Sequence, residues 1–233
     1  MALNFPISLA GKRGGGFPLG DPANYWNLDD SAYTNQVDAT RNFVATGTGS
    51  PVIESNTAPD GGGCTVTNTT DSLVKTVTGT PQMTLSLWVE FVIEPQRYTP
   101  FLCWRNTAVN GTYLMLGRIY SSGGQSFNMH NERGRSVTIQ SVSQGWVHWL
   151  LTYDGNTMRA YKNGVSQGTA SYTCSVCTRS RPLRLGRNWG SNHHPCKFSM
   201  LGIWDVAPAD EVEAQAAADY LYNGGIGRRF AAI

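Results

Sequence analysis

Between residues 83 and 93 the chain shows its cleanest alternation of apolar and polar positions. Leu85, Leu87, Val89, Phe91 and Ile93 fall on one face of an extended strand, and Thr84, Ser86, Trp88 and Glu90 on the other. A period of two marks a half-buried strand of a large sheet, with its odd-numbered residues as core. Residues 146–153 differ: Trp146 and Leu150 are apolar on one face and Val147, Trp149 and Leu151 on the other. The second face must be covered by the N-terminal segment, a helix or a partner. Asp154-Gly155-Asn156, a strand over 157–162 and Asn163-Gly164 follow. Asp-Gly and Asn-Gly supply the positive φ angles that tight hairpin turns require, so consecutive antiparallel strands are predicted.

Strands are also predicted over 25–28, 42–46, 52–55, 72–77, 101–104, 113–120, 126–131, 136–142 and 183–187, separated by Gly- and Asn-rich turns, the spacing of a β-sandwich. Residues 208–223 predict one helix. Asp210, Glu211 and Glu213 stand at its start, Val212, Ala216, Tyr220 and Leu221 form its apolar stripe, and Gly224 is its C-terminal stop. This helix is expected to plug the sandwich. Glycines and Pro6, Pro18 and Pro22 keep residues 1–23 out of regular structure, as an arm with Leu3, Phe5, Ile7 and Leu9 as partner-binding anchors.

Several of these residues carry a family resemblance. Trp146 and His148, Tyr153-Asp154-Gly155, Tyr161 with Asn163-Gly164, Tyr25-Trp26-Asn27-Leu28, the run 83–93, Pro182-Leu183-Arg184-Leu185-Gly186 and Leu221-Tyr222-Asn223-Gly224-Gly225 stand in order along the chain. Together they resemble the laminin G-like branch of the concanavalin A-like lectin/glucanase superfamily, over residues 24–227. The resemblance implies an all-β fold: an antiparallel two-sheet jelly-roll sandwich with one C-terminal helix and an extended N-terminal arm. It leaves the ligand open, because the fold hosts lectins, glycosidases and adhesive modules.

With 233 residues and 40% hydrophobic content, one domain suffices: an arm over 1–23, the sandwich over 24–227 and a basic tail over 228–233. No signal peptide and no membrane-length apolar run are evident, so the chain is expected to be made in a cytoplasm. Five cysteines without regular disulfide spacing suit a reducing compartment. Residues 97–197 hold twelve Lys/Arg against Glu132 and Asp154, while both flanks are net acidic. Such segregation suits an anionic ligand or packing between copies, or is an ordinary solvated face; nucleic acid is not expected as a partner.

Glycosidases need two carboxylates about the scissile bond. The acid-x-acid pair Glu211/Glu213 falls on the helix, where residues two apart face differently, so no enzyme is expected. His148, between two tryptophans, reads as a hydrogen-bonded structural histidine. Cys174-x-x-Cys177, fifteen residues, then His193-x-x-Cys196 has zinc-ribbon spacing, though the strand between the pairs would hold them apart. A calcium candidate is Asp29-Asp30 with Asn27, or Asp60. For a glycan, Trp104-Arg105 and Arg187-Asn188-Trp189 with His193 and His194 offer aromatic platforms and planar donors; cofactors otherwise are not called for.

Two functions remain: a non-enzymatic structural or adhesive protein, as in a virion (a phage capsid decoration or tail protein) whose arm and sandwich bind neighbouring subunits, or a carbohydrate-binding lectin module. Deleting residues 1–20 is expected to weaken assembly or lower the thermal midpoint. An unchanged size distribution and midpoint would leave the arm without a role.

Overall fold

The computed structural model describes residues 19–92, 99–105, 112–118, 125–128, 137–139, 145–171, 178, 180–187 and 195–227. In chain order its strands are β1 Asn24–Trp26, β2 Val44–Gly47, β3 Val52–Glu54, β4 Cys64–Val66, β5 Asp71–Thr78, β6 Met83–Phe91, β7 Thr99–Arg105 and β8 Thr112–Arg118. They continue with β9 Gln125–Asn128, β10 Val137–Ile139, β11 Trp146–Tyr153, β12 Thr157–Lys162, β13 Val165–Ser171, β14 Ser180–Leu185 and β15 Cys196–Trp204. Helix α1, Glu211–Tyr222, follows.

The described strands form two antiparallel sheets. The larger runs β13-β12-β11-β6-β15-β4-β3, with β1 added beside β15, and the smaller runs β10-β9-β8-β7-β14-β5-β2. Their facing sides enclose the main core. Met83, Leu85, Leu87 and Val89 of β6 and Val147, Trp149, Leu151 and Tyr153 of β11 meet Leu73, Phe101, Leu102, Trp104, Leu183 and Leu185 of the smaller sheet. The odd-numbered face of β6 is therefore core, as its alternation predicts.

The other face of β6 is not solvent-facing as a half-buried strand would have it. Thr84, Ser86 and Trp88 are buried as well. A second apolar cluster covers the outside of the larger sheet, where Tyr25, Trp88, Leu150, Tyr161, Met200 and Trp204 meet Ala214, Ala217, Ala218 and Leu221 of α1. The helix thus lies across a sheet face and does not plug an open end. The segment before β1 joins the cover: Leu19 packs on this cluster, and the Trp204 indole donates to the Gly20 carbonyl at 3.0 Å. Leu3, Phe5, Ile7 and Leu9 lie outside the described residues. Gly202 is required here, since a Cβ would stand 2.5 Å from the Trp204 ring.

Local chemistry fixes both ends of α1. Asp210 accepts from the Glu213 amide at 2.9 Å, and Glu213 reaches back to the Ala209 amide at 2.9 Å. At the far end Asn223 takes the left-handed conformation (φ 48°, ψ 49°), one residue before Gly224. Asparagine tolerates this region because its short amide bonds locally. The buried stripe is Ala214, Ala217, Ala218 and Leu221; of the expected Val212, Ala216, Tyr220 and Leu221, Leu221 is buried, Tyr220 packs against the cluster half-buried, and Val212 is 68% exposed. Small alanines let the helix backbone approach the sheet closely.

Polar clamps hold helix and hairpin together. The Tyr161 and Ser166 hydroxyls donate to Glu211 Oε1 at 3.1 and 3.3 Å, and Arg159 pairs with Glu211 Oε2 at 3.4 Å. Burial and the Glu211 carboxylate push the Tyr161 phenol up. Asp154 accepts from the Asn156 and Thr157 amides at 2.9 and 2.8 Å and pairs with Arg159 at 2.8 Å. Its carboxylate is thus committed to its turn. Asn163 and Gly164 both have positive φ, 51° and 77°, as a type I′ hairpin demands.

Leu221→Ala is expected to cost roughly 2–4 kcal/mol by emptying its place in the second cluster. Val212→Ala should cost less than about 0.5 kcal/mol, as a surface change. Denaturant melts compare the two, and equal costs would contradict the assigned helix face.

Candidate functional site

Strand β5 positions the candidate site because its two edges are unequally covered. On one side β14 pairs with it from Leu73 to Thr78; on the other, β2 pairs only as far as Val44 opposite Val74. The chain before β2 turns away through a short 3-10 turn, Ala39–Arg41. Beyond Val74 the free edge of β5 therefore borders a cleft of 390 Å³ lined by Asn24, Arg41, Lys75, Thr76, Val77, Thr78, Thr80 and Asp205. Asn24 and Asp205 come from the larger sheet and its exit, so the cleft lies where the two sheets meet.

Neighbours place each polar group. Asp38 caps the 3-10 turn by accepting from the Thr40 amide and hydroxyl at 2.9 and 2.7 Å, bonds that hold its carboxyl below the ordinary value, and it pairs with Arg41 Nε at 3.1 Å. Arg41 Nη1 donates to the Ala23 carbonyl at 3.2 Å and to Asn24 Oδ1 at 3.3 Å. Lys75 Nζ donates to the Thr40 carbonyl at 3.0 Å. The Thr78 and Ser180 hydroxyls bond at 2.6 Å, and Thr80 donates to the Gln82 carbonyl. Desolvation raises the Asp205 carboxyl, against the opposing pull of Arg41. Hydroxyls, an amide, two cations and one carboxylate suit hydrogen bonding to a polyhydroxylated ligand.

The residues singled out in the sequence fare unevenly. Trp104 is a correction: its side chain is 1% exposed in the inter-sheet core and donates to the Val77 carbonyl at 3.3 Å, so it offers no platform. Register explains this, because Trp104 lies opposite Leu183 and both point inward. Arg187 is half-buried just after β14 and close enough to Arg184 for their charges to repel. The Arg105 side chain and Asn188, Trp189, His193 and His194 lie outside the described residues.

Of the zinc candidates, Cys174, Cys177 and His193 also lie outside them. Cys196 is a free thiol sunk in the apolar core, where burial pushes its pKa well up and disfavours the thiolate that zinc needs. Of the calcium candidates, Asp30 accepts from the Thr34 amide and hydroxyl and Asp60 from the Gly62 amide, while the Asn27 side-chain oxygen is buried without a hydrogen-bond partner among the described residues. Among the described residues no three His, Cys, Asp or Glu side chains converge as a metal site. His148 is the structural histidine expected of it. It lies buried beside Trp88, with ring centroids 5.1 Å apart, and its Nε2 is 2.9 Å from Ser86 Oγ.

Sequence reasoning missed the cleft residues. One signal was available: between residues 14 and 96 the cations are Arg41 and Lys75, against nine acids, and the fold brings both into this cleft.

Two sheets of this order, with the cleft at their junction, define a lectin-like sandwich. The chain belongs to the concanavalin A-like lectin/glucanases superfamily, whose laminin G model matches residues 60–212. Comparison with curated proteins finds no match. Among solved structures it is similar to domain 4 of AbnA, a GH43 extracellular arabinanase from Geobacillus stearothermophilus solved in complex with arabinotriose. The TM-score is 0.69 at 18% identity, covering 84% of this chain and 98% of that one. It is also similar to the receptor-binding domain of botulinum neurotoxin mosaic serotype C/D (TM-score 0.62, 10% identity, 87% and 50% covered). A third similar structure concerns botulinum neurotoxin type C, whose cell entry depends on two ganglioside molecules (TM-score 0.58, 11% identity, 86% and 50% covered). The chain spans about half the length of these toxin fragments.

Burial lowers the His148 pKa from 6.5 to about 3, so the ring is neutral in the folded protein. Unfolding restores its ordinary value, and below about pH 6.5 the unfolded chain binds a proton that the folded chain does not. Stability should therefore fall as pH drops from 6.5 to 5, by up to about 1.4 kcal/mol per pH unit. Urea melts across that window should show a flatter profile for His148→Gln, and an unchanged slope would assign it to another group.

Proposed function

We propose that the protein binds carbohydrate and does not cleave it. The observation that carries this is the make-up of the cleft: its hydroxyls, amide and cations can bond to sugar hydroxyls, yet among the described residues that line it Asp205 is the one carboxylate. Hydrolysis by the two-carboxylate route needs a second acid across the bond. Superfamily membership supports the proposal, as do the arabinotriose complex of the arabinanase domain and the ganglioside dependence of the type C toxin, both as analogies of fold. A volume of 390 Å³ sits at the small end of ligand pockets and suits one or two sugar units.

A virion subunit tethered by its arm is the other function drawn from the sequence. It rests on anchors outside the described residues, and the comparisons add nothing to it.

A glycan array probed with the full chain should give specific binding. Thr76→Trp, which fills the cleft from an exposed position, should weaken the best ligand at least tenfold, or about 1.4 kcal/mol, without shifting the thermal midpoint. Silence across the array contradicts carbohydrate binding. Loss of binding in Trp189→Ala with retention in Thr76→Trp would move the site to the 187–194 stretch, and release of reducing ends would contradict the absence of catalysis.

A further inference from the structure

The charges of the cleft are unequally satisfied, and this inequality selects the kind of sugar it takes, on the footing that the cleft binds carbohydrate as proposed above. Arg41 is neutralised within the fold: Asp38 pairs with its Nε at 3.1 Å, and Asp205 lies near enough to feel its charge. The ammonium of Lys75 is met differently. Its one described bond is to the Thr40 carbonyl at 3.0 Å, a neutral acceptor, and Asp38, which senses its field, is committed to Arg41 and Thr40. An ammonium has three donors, so two remain for a ligand. On the adjoining stretch of β5, Thr76 and Thr78 share the opposite strand face, with Thr80 beyond them and Asn24 and Asp205 on the other wall.

We infer that the cleft binds an acidic sugar, a uronate, whose carboxylate sits on Lys75 Nζ while its ring hydroxyls bond to Asn24 and Asp205 on the facing wall. Among the described residues no carboxylate lies within ion-pairing distance of the Lys75 ammonium, so it can meet one negative charge. A carboxylate supplies one, whereas a phosphate monoester carries nearly two and would also face Asp205. A uronate further combines its single charge with several hydroxyls on a ring small enough for 390 Å³. Asp205, across the cleft, serves as an acceptor for hydroxyls and disfavours a second anion. The two cations of the otherwise acidic stretch 14–96 thus have separate tasks: Arg41 ties the 3-10 turn to Asn24, and Lys75 reads the ligand's charge.

Calorimetry of the full chain with trigalacturonate, with its methyl ester and with arabinotriose tests this. The acid is expected to bind at least tenfold more tightly than its ester at low salt, and to lose most of that advantage at 0.5 M NaCl. Lys75→Gln should abolish the preference, bringing the affinity for the acid down to that for the ester, and Lys75→Arg should retain the preference. Equal affinity for acid and ester, or a preference that survives in Lys75→Gln, overturns the uronate inference while carbohydrate binding stands. No measurable binding of the acid at millimolar concentration overturns it too, and the glycan array then decides separately whether the protein binds sugars at all.

Discussion

The structure depends on three neighbouring strands, β11, β6 and β15, being buried on both faces. On one side Leu87, Val89, Trp149 and Ile203 meet the smaller sheet; on the other Trp88, Leu150, Met200 and Trp204 meet α1 and the segment before β1. Burial of each such side chain contributes about 1.5–3 kcal/mol, so neither layer is dispensable. The outer layer also sets what the helix can be. Alanines at 214, 217 and 218 bring its backbone close enough for Trp88 and Tyr222 to stack, with centroids 5.8 Å apart over His148.

This constraint decides where a ligand can go. The outer face of the larger sheet is filled by the helix, by Leu19 and by the loop after β3, whose Thr57 carbonyl accepts from the Trp146 indole at 2.8 Å. Among the described residues the junction of the sheets stays open, because β2 is too short to shield all of β5. There the polar groups are held by partners outside the cleft, Asp38 for Arg41 and Thr40 for Lys75, so the walls are set before a ligand arrives. A preformed polar cleft on a doubly packed scaffold loses little conformational freedom on binding.

Much of the fold could be read from local signals. Alternation over 83–93 identified the core face of β6, and the two-faced apolar run 146–153 required a cover that α1 provides. Asp154-Gly155 and Asn163-Gly164 marked real turns, because positive φ is a strictly local demand. Val212 was misplaced on the helix face because it looks more apolar than alanine, whereas close approach to a sheet favours the smaller side chain. Trp104 was misjudged because its neighbours Arg105 and Asn106 look like a polar loop, while the register of β7 on β14 turns the indole inward. The cleft was hidden for a different reason. Asn24, Arg41, Lys75 and Asp205 come from four distant segments, and only the length of β2 and the exit of β15 bring them together.

The most direct measurement of the central claim, a rigid two-layered scaffold with the proposed binding confined to the sheet junction, is amide hydrogen exchange of the full chain with and without trigalacturonate. Strands β6, β11 and β15 and helix α1 are predicted to exchange together, through global unfolding alone, in both states. Added protection should be confined to residues near 24, 38–41, 75–80 and 205. Independent opening of α1, or ligand protection centred on the outer face of the larger sheet, would contradict it.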